Sequence, residues 1–218
     1  MACEPLDLRP FGEGDFAQLI GHVADARFLL QWSGPEYVFP LDARQLRETL
    51  ARTRGKTPSS KVFKAILSGA AVTVGHVQLL DIDYESGTCV LGRVLIFPEH
   101  RGKGLGKPLV GSAVAVAFAA LGLREVTLRV FALNQPAVAT YESVGFVKSS
   151  PDPDHHEVEG ETWEIFAMEL SRERWSELRG RTGTRRTGQS DRGTRLETCS
   201  WPRLPCGRRR RPPASVTL

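Results

Sequence analysis

An α/β fold is predicted because strand-type and helix-type segments alternate along the chain. Strands at 61–67 and 71–83 form a hairpin, and a third strand at 88–97 leads through a glycine-rich turn into a helix. The composition agrees, since 41% hydrophobic and 25% charged residues are typical of a globular domain. The longest apolar run, at 113–121, is far shorter than the roughly 20 residues of a membrane-spanning helix. The first ten residues lack the pattern of a signal peptide, which predicts a cytoplasmic protein.

The amino-terminal part of the chain is predicted to hold one strand and two helices. A strand at 6–10 precedes a helix at 16–25. Asp42, with a glutamine three residues later, resembles a capping box and predicts a helix that ends near residue 54. The segment 28–40 is aromatic but is interrupted by glycine and proline, so it is predicted as a loop or a broken helix.

Helix and strand signals continue to alternate after the third strand. The predicted elements are a helix at 104–121 with Gly122 as its C-cap, a strand at 125–131, a helix at 134–144 with Asn134 as its N-cap, a hairpin at 151–161 and a last strand at 162–170.

The turn at 101–106, with the sequence Arg-Gly-Lys-Gly-Leu-Gly, is the most informative segment. Three glycines at alternate positions allow the backbone amides to face one concavity, where they and a helix N-terminus can hold an anion. A phosphate-binding P-loop is excluded because neither Gly-Lys pair is followed by Ser or Thr. A dinucleotide fingerprint is excluded because Lys107 stands where its third glycine would fall.

With its flanks, this turn resembles the GNAT N-acetyltransferase superfamily, in the form of a bacterial-type single-domain member. The family pattern is Arg or Gln, two residues, Gly, one residue, then Gly or Ala, and here these are Arg101, Gly104 and Gly106. The likeness is strongest over 88–147 and extends over 6–170. It implies a mixed, mostly antiparallel central sheet with flanking helices and a splayed parallel strand pair. The downstream residues that agree with the family are Asn134, Ala137, Tyr141, Gly145 and Phe146.

The resemblance implies that acetyl-CoA is bound as the acetyl donor. The pantetheine arm would add to the edge of the third strand, and the thioester would lie in the gap beside the strand at 125–131. The residues implied to bind it are Ile96, Phe97, Arg101, Gly102, Lys103, Gly104, Leu105, Gly106, Lys107 and Asn134.

The resemblance also implies direct transfer of the acetyl group to a primary amine, without a covalent enzyme intermediate. Tyr141 matches the position of the family's general acid, and a phenol with an ordinary pKa near ~10 is protonated at neutral pH. The general base stays open, because the strand at 88–97 contains no carboxylate. Asp81, Asp83 and Glu36 are the candidates, and attack by the neutral fraction of the amine is the alternative.

The acceptor is predicted to be a small cationic amine or a peptide amino terminus. In such folds the segments 28–40 and 151–161 build the acceptor site. The residues Trp32, Glu36, Tyr37 and Phe39 are either a cradle for a cation or a packed aromatic cluster. The alternatives are a protein N-terminal or ribosomal-protein acetyltransferase, and a regulatory module that binds acetyl-CoA without transferring it.

The catalytic domain is predicted over 1–172, and residues 173–218 are predicted to form a disordered basic tail rich in Arg, Pro and Gly. From Gly180 onward the tail has ten arginines against two acidic residues and no apolar period, which predicts disorder. Nucleic acid could bind only through this tail, and no membrane partner is expected. Four scattered cysteines and a His155-His156 pair in a predicted loop give no metal-ligand spacing, so no metal is expected. The oligomeric state stays open.

Overall fold

A mixed β-sheet forms the centre of the computed structural model, which describes residues 6–69, 71–158 and 160–183. Within these residues the sheet has eight strands, in the order β1-β2-β3-β4-β5-β8-β6, and β7 also pairs with β8. All neighbours are antiparallel except β4 and β5, so the predicted mixed sheet is confirmed. The strands are β1 (Leu6–Pro10), β2 (Lys61–Leu67), β3 (Val72–Asp83), β4 (Thr88–Ile96), β5 (Glu125–Phe131), β6 (Val147–Lys148), β7 (Asp154–Val158) and β8 (Glu161–Ser171).

Six α-helices flank the sheet in the described part of the chain. A π-helical turn at Val116–Ala120 extends the fourth of them. None of the described helices combines the length and the apolar character needed to cross a membrane. The helices are α1 (Phe16–Gly21), α2 (Ala26–Ser33), α3 (Ala43–Ala51), α4 (Gly106–Ala115), α5 (Gln135–Val144) and α6 (Arg172–Gly183).

The amino-terminal helices differ from the prediction at one point. The helix predicted at 16–25 ends at Gly21, and Asp25 has an extended backbone and a carboxylate that accepts a hydrogen bond from Phe28 N at 2.7 Å. Asp25 therefore caps a second helix, and α2 occupies the first half of the segment predicted as a loop or broken helix. This helix ends at Gly34, whose φ of 68° few other residues adopt. Asp42 caps α3 as predicted.

The two larger of the three hydrophobic clusters in the described residues pack helices against the sheet. One packs α4 and α5 against the strands and includes Leu109 and Val114, which are fully buried. The other packs the three amino-terminal helices through Leu19, Leu29 and Leu46. Burial of each such side chain contributes about 1.5–3 kcal/mol. Both faces are covered, so the strands in the middle of the sheet are held in place from both sides.

The pairing of β3 with β4 contains a bulge near the centre of the sheet. His76 pairs with Leu95, whereas Gln78 pairs with Gly92, so β4 has one residue more than β3 between these pairs. Arg93 lies in the bulge and has a φ of 51°. An extra residue reverses which face each later side chain occupies. The buried residues of β4 before the bulge therefore belong to the first cluster and those after it to the second.

The helix α6 continues the fold beyond the last strand. The Trp175 ring packs against Phe118 with centroids 5.4 Å apart, and Arg174 Nε donates a hydrogen bond to the Gly145 carbonyl at 2.7 Å. The predicted boundary near residue 172 thus coincides with the start of a helix that packs on the core. Residues 173–183, the first part of the tail predicted to be disordered, are helical instead, and the rest of the predicted tail lies outside the described residues.

Candidate active site

The two parallel strands of the sheet are paired only at their beginnings. In the described structure the pairing covers Thr88 to Val90 in β4 and Glu125 to Thr127 in β5, although both strands continue beyond it. The crossover that parallel pairing requires is made by α4 and its π-helical extension. The strands diverge after the third pair, which confirms the predicted splayed pair and leaves an opening in the sheet.

A cavity of about 440 Å³, called the first cavity, occupies this opening on the side of α4 and α5. Its walls come from β4, β5, α2 and α5 and from the start of α4. Among the residues predicted to bind the cofactor or to act in catalysis, those that line it are Ile96, Arg101, Gly106, Asn134 and Tyr141.

The glycine-rich turn leads from β4 to the start of α4. Gly102 and Gly104 have φ values of 73° and 74°, and a Cβ at either position would meet no atom within 4 Å. Arg101 Nε donates to the Ile96 carbonyl at 3.0 Å, which fixes the turn to the end of the strand. The N-cap residue of α4, Leu105, offers no side-chain oxygen to the amides of the first helical turn. Such amides bind anions such as phosphate groups.

The other predicted cofactor residues do not line the first cavity. Phe97 is buried and stacks on the His22 ring, with centroids 4.1 Å apart, so its side chain packs the core. Leu105 is also buried in the core, whereas Lys103 and Lys107 are exposed. The exposed Gly102 and Gly104 lie beside these lysines in the turn. The structure thus places a basic, glycine-containing rim next to the cavity.

Tyr141 lies on α5 with its ring against Phe146, at a centroid distance of 6.0 Å. Asn134 begins this helix, since its side chain accepts a hydrogen bond from Ala137 N at 3.4 Å. Gly145 ends it in the left-handed conformation, with a φ of 119°. Burial raises the pKa of Tyr141 to about 12. The phenol is therefore protonated throughout the neutral range, as a general acid must be.

A second cavity, of about 390 Å³, lies on the other side of the opening. It shares part of its lining with the first cavity, so the two meet where β4 and β5 diverge. The residues common to both are Gln31, Trp32, Leu91, Gly92, Arg93, Arg129, Val130 and Phe131. His156 lines the second cavity only, and it lies in β7 rather than in the predicted loop. No group of three or more potential metal ligands occurs among the described residues.

Two residues of the predicted cation cradle, Glu36 and Tyr37, contact a cation of the protein itself. The Arg93 guanidinium lies over the Tyr37 ring, 4.4 Å from its centroid, and forms an ion pair with Glu36. Glu36 forms a second ion pair with Arg52. Burial alone would raise the pKa of Glu36, but Arg93 and Arg52 outweigh it and lower that pKa below its ordinary value. Neither Tyr37 nor Glu36 lines the two cavities.

A buried polar chain supports Arg93 from β3. The Gln78 side-chain oxygen accepts from Arg93 at 2.5 Å, so the Gln78 amide nitrogen faces His76 Nε2, 2.9 Å away. His76 Nε2 is then an acceptor and the ring is neutral. Burial first, and Arg93 second, lower the pKa of His76 to about 3. Three buried nitrogens near this chain, Trp32 Nε1, Arg93 Nε and His76 Nδ1, have no hydrogen-bond partner in the described structure.

None of the three candidates for the general base lines either cavity. Glu36 is held by two arginines, as described above. Asp83 accepts hydrogen bonds in the turn after β3, first from Ser86 and then from the Glu85 amide, and these lower its pKa. Asp81 is exposed. These three carboxylates are therefore not placed to act at either cavity.

Several residues of the cavity walls were not identified from the sequence. Gln31, Arg93 and Arg129 come from three elements that are far apart in the chain, and no motif connects them. One signal was available for Arg93, since an arginine within a strand of apolar residues needs a buried partner or a functional role.

Comparison with known proteins identifies the family to which this chain belongs. Residues 26–146 match the model of the acetyltransferase (GNAT) family. The match covers more than half of the chain, so the chain belongs to this family, as the sequence resemblance predicted.

The curated relatives are N-acetyltransferases that match over part of their length. The chain is 36% identical over 75 residues to spermidine N(1)-acetyltransferase of Vibrio cholerae, which is 34% of this chain and 43% of that protein. It is 30% identical over 111 residues to a prophage-derived uncharacterized N-acetyltransferase of Bacillus subtilis, which is 50% of this chain and 60% of that protein. The chain thus spans about half the length of these relatives.

Solved structures give a longer match. The Vibrio cholerae spermidine N-acetyltransferase in complex with CoA and spermine superposes with a TM-score of 0.67 and 22% identity, and the match covers 78% of this chain and 98% of that one. Another crystal structure of this enzyme, with manganese ions, gives a TM-score of 0.63. At this identity the likeness establishes the fold.

Proposed function

We propose that this protein transfers an acetyl group from acetyl-CoA to a primary amine by direct attack. The observation that carries the proposal is the pair of cavities that meet where β4 and β5 diverge, with Tyr141 on the wall of the first. The family membership agrees with it, and so do the relatives, which are named as N-acetyltransferases. When bound, acetyl-CoA supplies an activated thioester whose carbonyl carbon an amine nitrogen can attack.

The residues of the first cavity suit the donor. The basic turn at 101–106 and the first turn of α4 offer amides and positive charge to the phosphate groups. The diverging edge of β4, up to Ile96, offers backbone groups to the amides of the pantetheine arm. Asn134 lies on the opposite wall. A solved neighbour bound to CoA has this fold, which supports the same use here.

The second cavity would hold the acceptor amine next to the thioester. A new C–N bond forms as the C–S bond breaks, and the departing sulfur takes the proton of the Tyr141 hydroxyl. Tyr141 then regains a proton, so that overall the thiol gains one proton and the amine loses one. Cys89 is the only described cysteine; it lines neither cavity, and burial raises its pKa to about 12. A covalent acyl-cysteine route through it is therefore disfavoured.

Thiol release by the full chain tests this proposal. Acetyl-CoA is offered with polyamines, aminoglycosides, amino acids and peptide amino termini, and the acetylated product is identified by mass spectrometry. Polyamines are included because one of the curated relatives is named as a spermidine acetyltransferase. Acetylation of at least one amine supports the proposal. If the protein binds CoA in calorimetry but acetylates no amine, the regulatory module becomes the better explanation. If it does not bind CoA, the assignment of the first cavity is wrong.

A further inference from the structure

We infer that the acceptor amine carries a carboxylate, which Arg129 and the indole N–H of Trp32 hold at the second cavity. This inference rests on the proposed function and narrows its substrate class. Such an acceptor differs from spermidine, for which one relative is named, since a polyamine carries positive charge along its whole length.

The charges of the cavity walls carry the inference. The fully charged side chains that line the two cavities are Arg93, Arg101 and Arg129, and no Asp or Glu of the described residues is among the lining. Arg101 lines the first cavity alone, where the phosphate groups of the donor would lie. Arg129 lies on the wall that both cavities share, next to the point of transfer. A cation that enters the second cavity would meet guanidinium groups on its wall and no carboxylate.

Two carboxylates form ion pairs with arginines of the cavity walls. Glu36 forms ion pairs with Arg93 and Arg52, so this three-residue group has a net charge of plus one. Asp154 forms an ion pair with the Arg129 guanidinium at 2.7 Å but does not line either cavity. Neither acid is therefore placed to receive an ammonium group from the acceptor.

The unpartnered polar atoms of the shared wall are all donors. Trp32 Nε1 and Arg93 Nε are buried and have no hydrogen-bond partner among the described residues, and both side chains line both cavities. An indole or guanidinium nitrogen can only donate a hydrogen bond. The chemical group that satisfies such donors is an acceptor of hydrogen bonds, and a carboxylate also matches the charge of Arg129. A polyamine ammonium, which only donates, would leave these donors unsatisfied.

The test compares three acceptors of equal chain length: 4-aminobutyrate, butylamine and 1,4-diaminobutane, with their three-carbon and six-carbon counterparts. Each offers the same attacking amine, but the far end is a carboxylate, a methyl group or an ammonium. The kcat/KM of each is measured by thiol release with the wild-type chain and with Arg129→Gln, Arg129→Glu and Trp32→Phe. Arg47→Gln is the matched control, because Arg47 is also paired with an acid, lines neither cavity and is 57% exposed, against 61% for Arg129.

We expect the carboxylate member of at least one chain length to be the best acceptor of the wild type. Arg129→Gln should lower its kcat/KM on the order of tenfold while butylamine is unaffected, since a hydrogen bond to a charged group is lost. Trp32→Phe should act in the same direction, and Arg129→Glu should make the diamine the better acceptor. Arg47→Gln should leave all three values unchanged. Thermal unfolding of each variant shows whether it is folded.

The inference is overturned if the diamine is the best acceptor at every chain length. It is also overturned if the Arg129 variants lower kcat/KM equally for all three acceptors. If no acceptor releases thiol, calorimetry of the same three compounds with the CoA-loaded chain separates the two proposals. Selective binding of the carboxylate compound would then overturn the proposed reaction and support the inference about the cavity. Binding without preference would overturn the inference.

Discussion

Replacing Tyr141 with phenylalanine removes one hydroxyl from the wall of the first cavity and tests the return of a proton to the departing sulfur. The ring contact with Phe146 is kept, and no hydrogen bond of the Tyr141 hydroxyl occurs within the described residues. The free energy of unfolding should therefore change by less than about 1 kcal/mol. Loss of a general acid lowers kcat by roughly 100- to 10,000-fold, which corresponds to about 2.7–5.4 kcal/mol in the barrier.

The pH dependence makes the same prediction more specific. Because the pKa of Tyr141 is raised to about 12, the acid stays protonated across the whole assay range. An alkyl ammonium acceptor has a pKa near ~10.4 and must lose its proton before it attacks. We therefore expect kcat/KM to rise about tenfold per pH unit up to roughly pH 10, without a decline caused by Tyr141. The phenylalanine variant should show the same slope at a lower level.

The assay is thiol release at saturating acetyl-CoA, with the apparent KM for acetyl-CoA measured in parallel. Tyr84→Phe is a suitable control, since the Tyr84 hydroxyl donates to the Pro58 carbonyl at 3.2 Å and Tyr84 does not line either cavity. Its kcat should equal that of the wild type. A Tyr141→Phe variant that folds and retains a kcat within about twofold of the wild type would refute the role of Tyr141 as acid.

Three further predictions concern the buried polar chain and the turn. Glu36→Gln leaves the buried Arg93 guanidinium without its carboxylate and should lower the free energy of unfolding in urea by about 2 kcal/mol. This loss is smaller than for a fully buried ion pair because Glu36 is half-exposed. His76 has a pKa of about 3 in the folded state and near ~6.5 when unfolded, so its stabilisation is complete above pH 6.5 and is lost as the pH falls. Between pH 7 and pH 5 the wild type should therefore lose about 2 kcal/mol more stability than His76→Gln. Gly104→Ala, at a φ of 74°, should cost about 1 kcal/mol of stability and weaken CoA binding at least about tenfold in calorimetry.

Matched variants separate local effects from general ones. Glu48→Gln breaks an exposed pair with Arg44 and should change stability by less than about 0.5 kcal/mol; an equal loss in both glutamate variants would contradict the role given to Glu36. Gly55 also has a positive φ, 93°, and open space around it, so Gly55→Ala should cost similar stability without any effect on CoA. If the wild type and His76→Gln lose the same free energy of unfolding between pH 7 and pH 5, His76 is not the cause of that loss.

The parts of the site that a contiguous motif encodes could be predicted from the sequence. Arg101, Gly104 and Gly106 lie together in the turn, and Tyr141 follows at a family position, so the residue pattern alone is enough to identify them. The mixed sheet and its parallel pair followed from the same resemblance. The sequence did not reveal where the helix at 16–25 is interrupted, because Asp25 is equally compatible with the last turn of a helix and with an N-cap.

The walls of the second cavity depend on pairing between distant segments. The bulge at Arg93 arises from the register of β3 against β4, and register is set by both strands and not by either alone. The ion pair between Arg93 and Glu36 then joins two residues that are 57 positions apart in the sequence. A carboxylate and aromatic rings at 28–40 indicated either a cation site or a packed cluster, and only the fold shows that an arginine of the protein lies against Tyr37 and Glu36.

The contacts of α6 have a practical consequence for shortened versions of the chain. Cleavage after residue 172 would remove the contact between the Trp175 ring and Phe118. It would also expose an apolar surface at Gly145, where Leu178 packs. Exposed patches of this kind promote aggregation. A version of the chain that ends after residue 183 keeps both contacts of α6, so it is the better starting material for crystallisation.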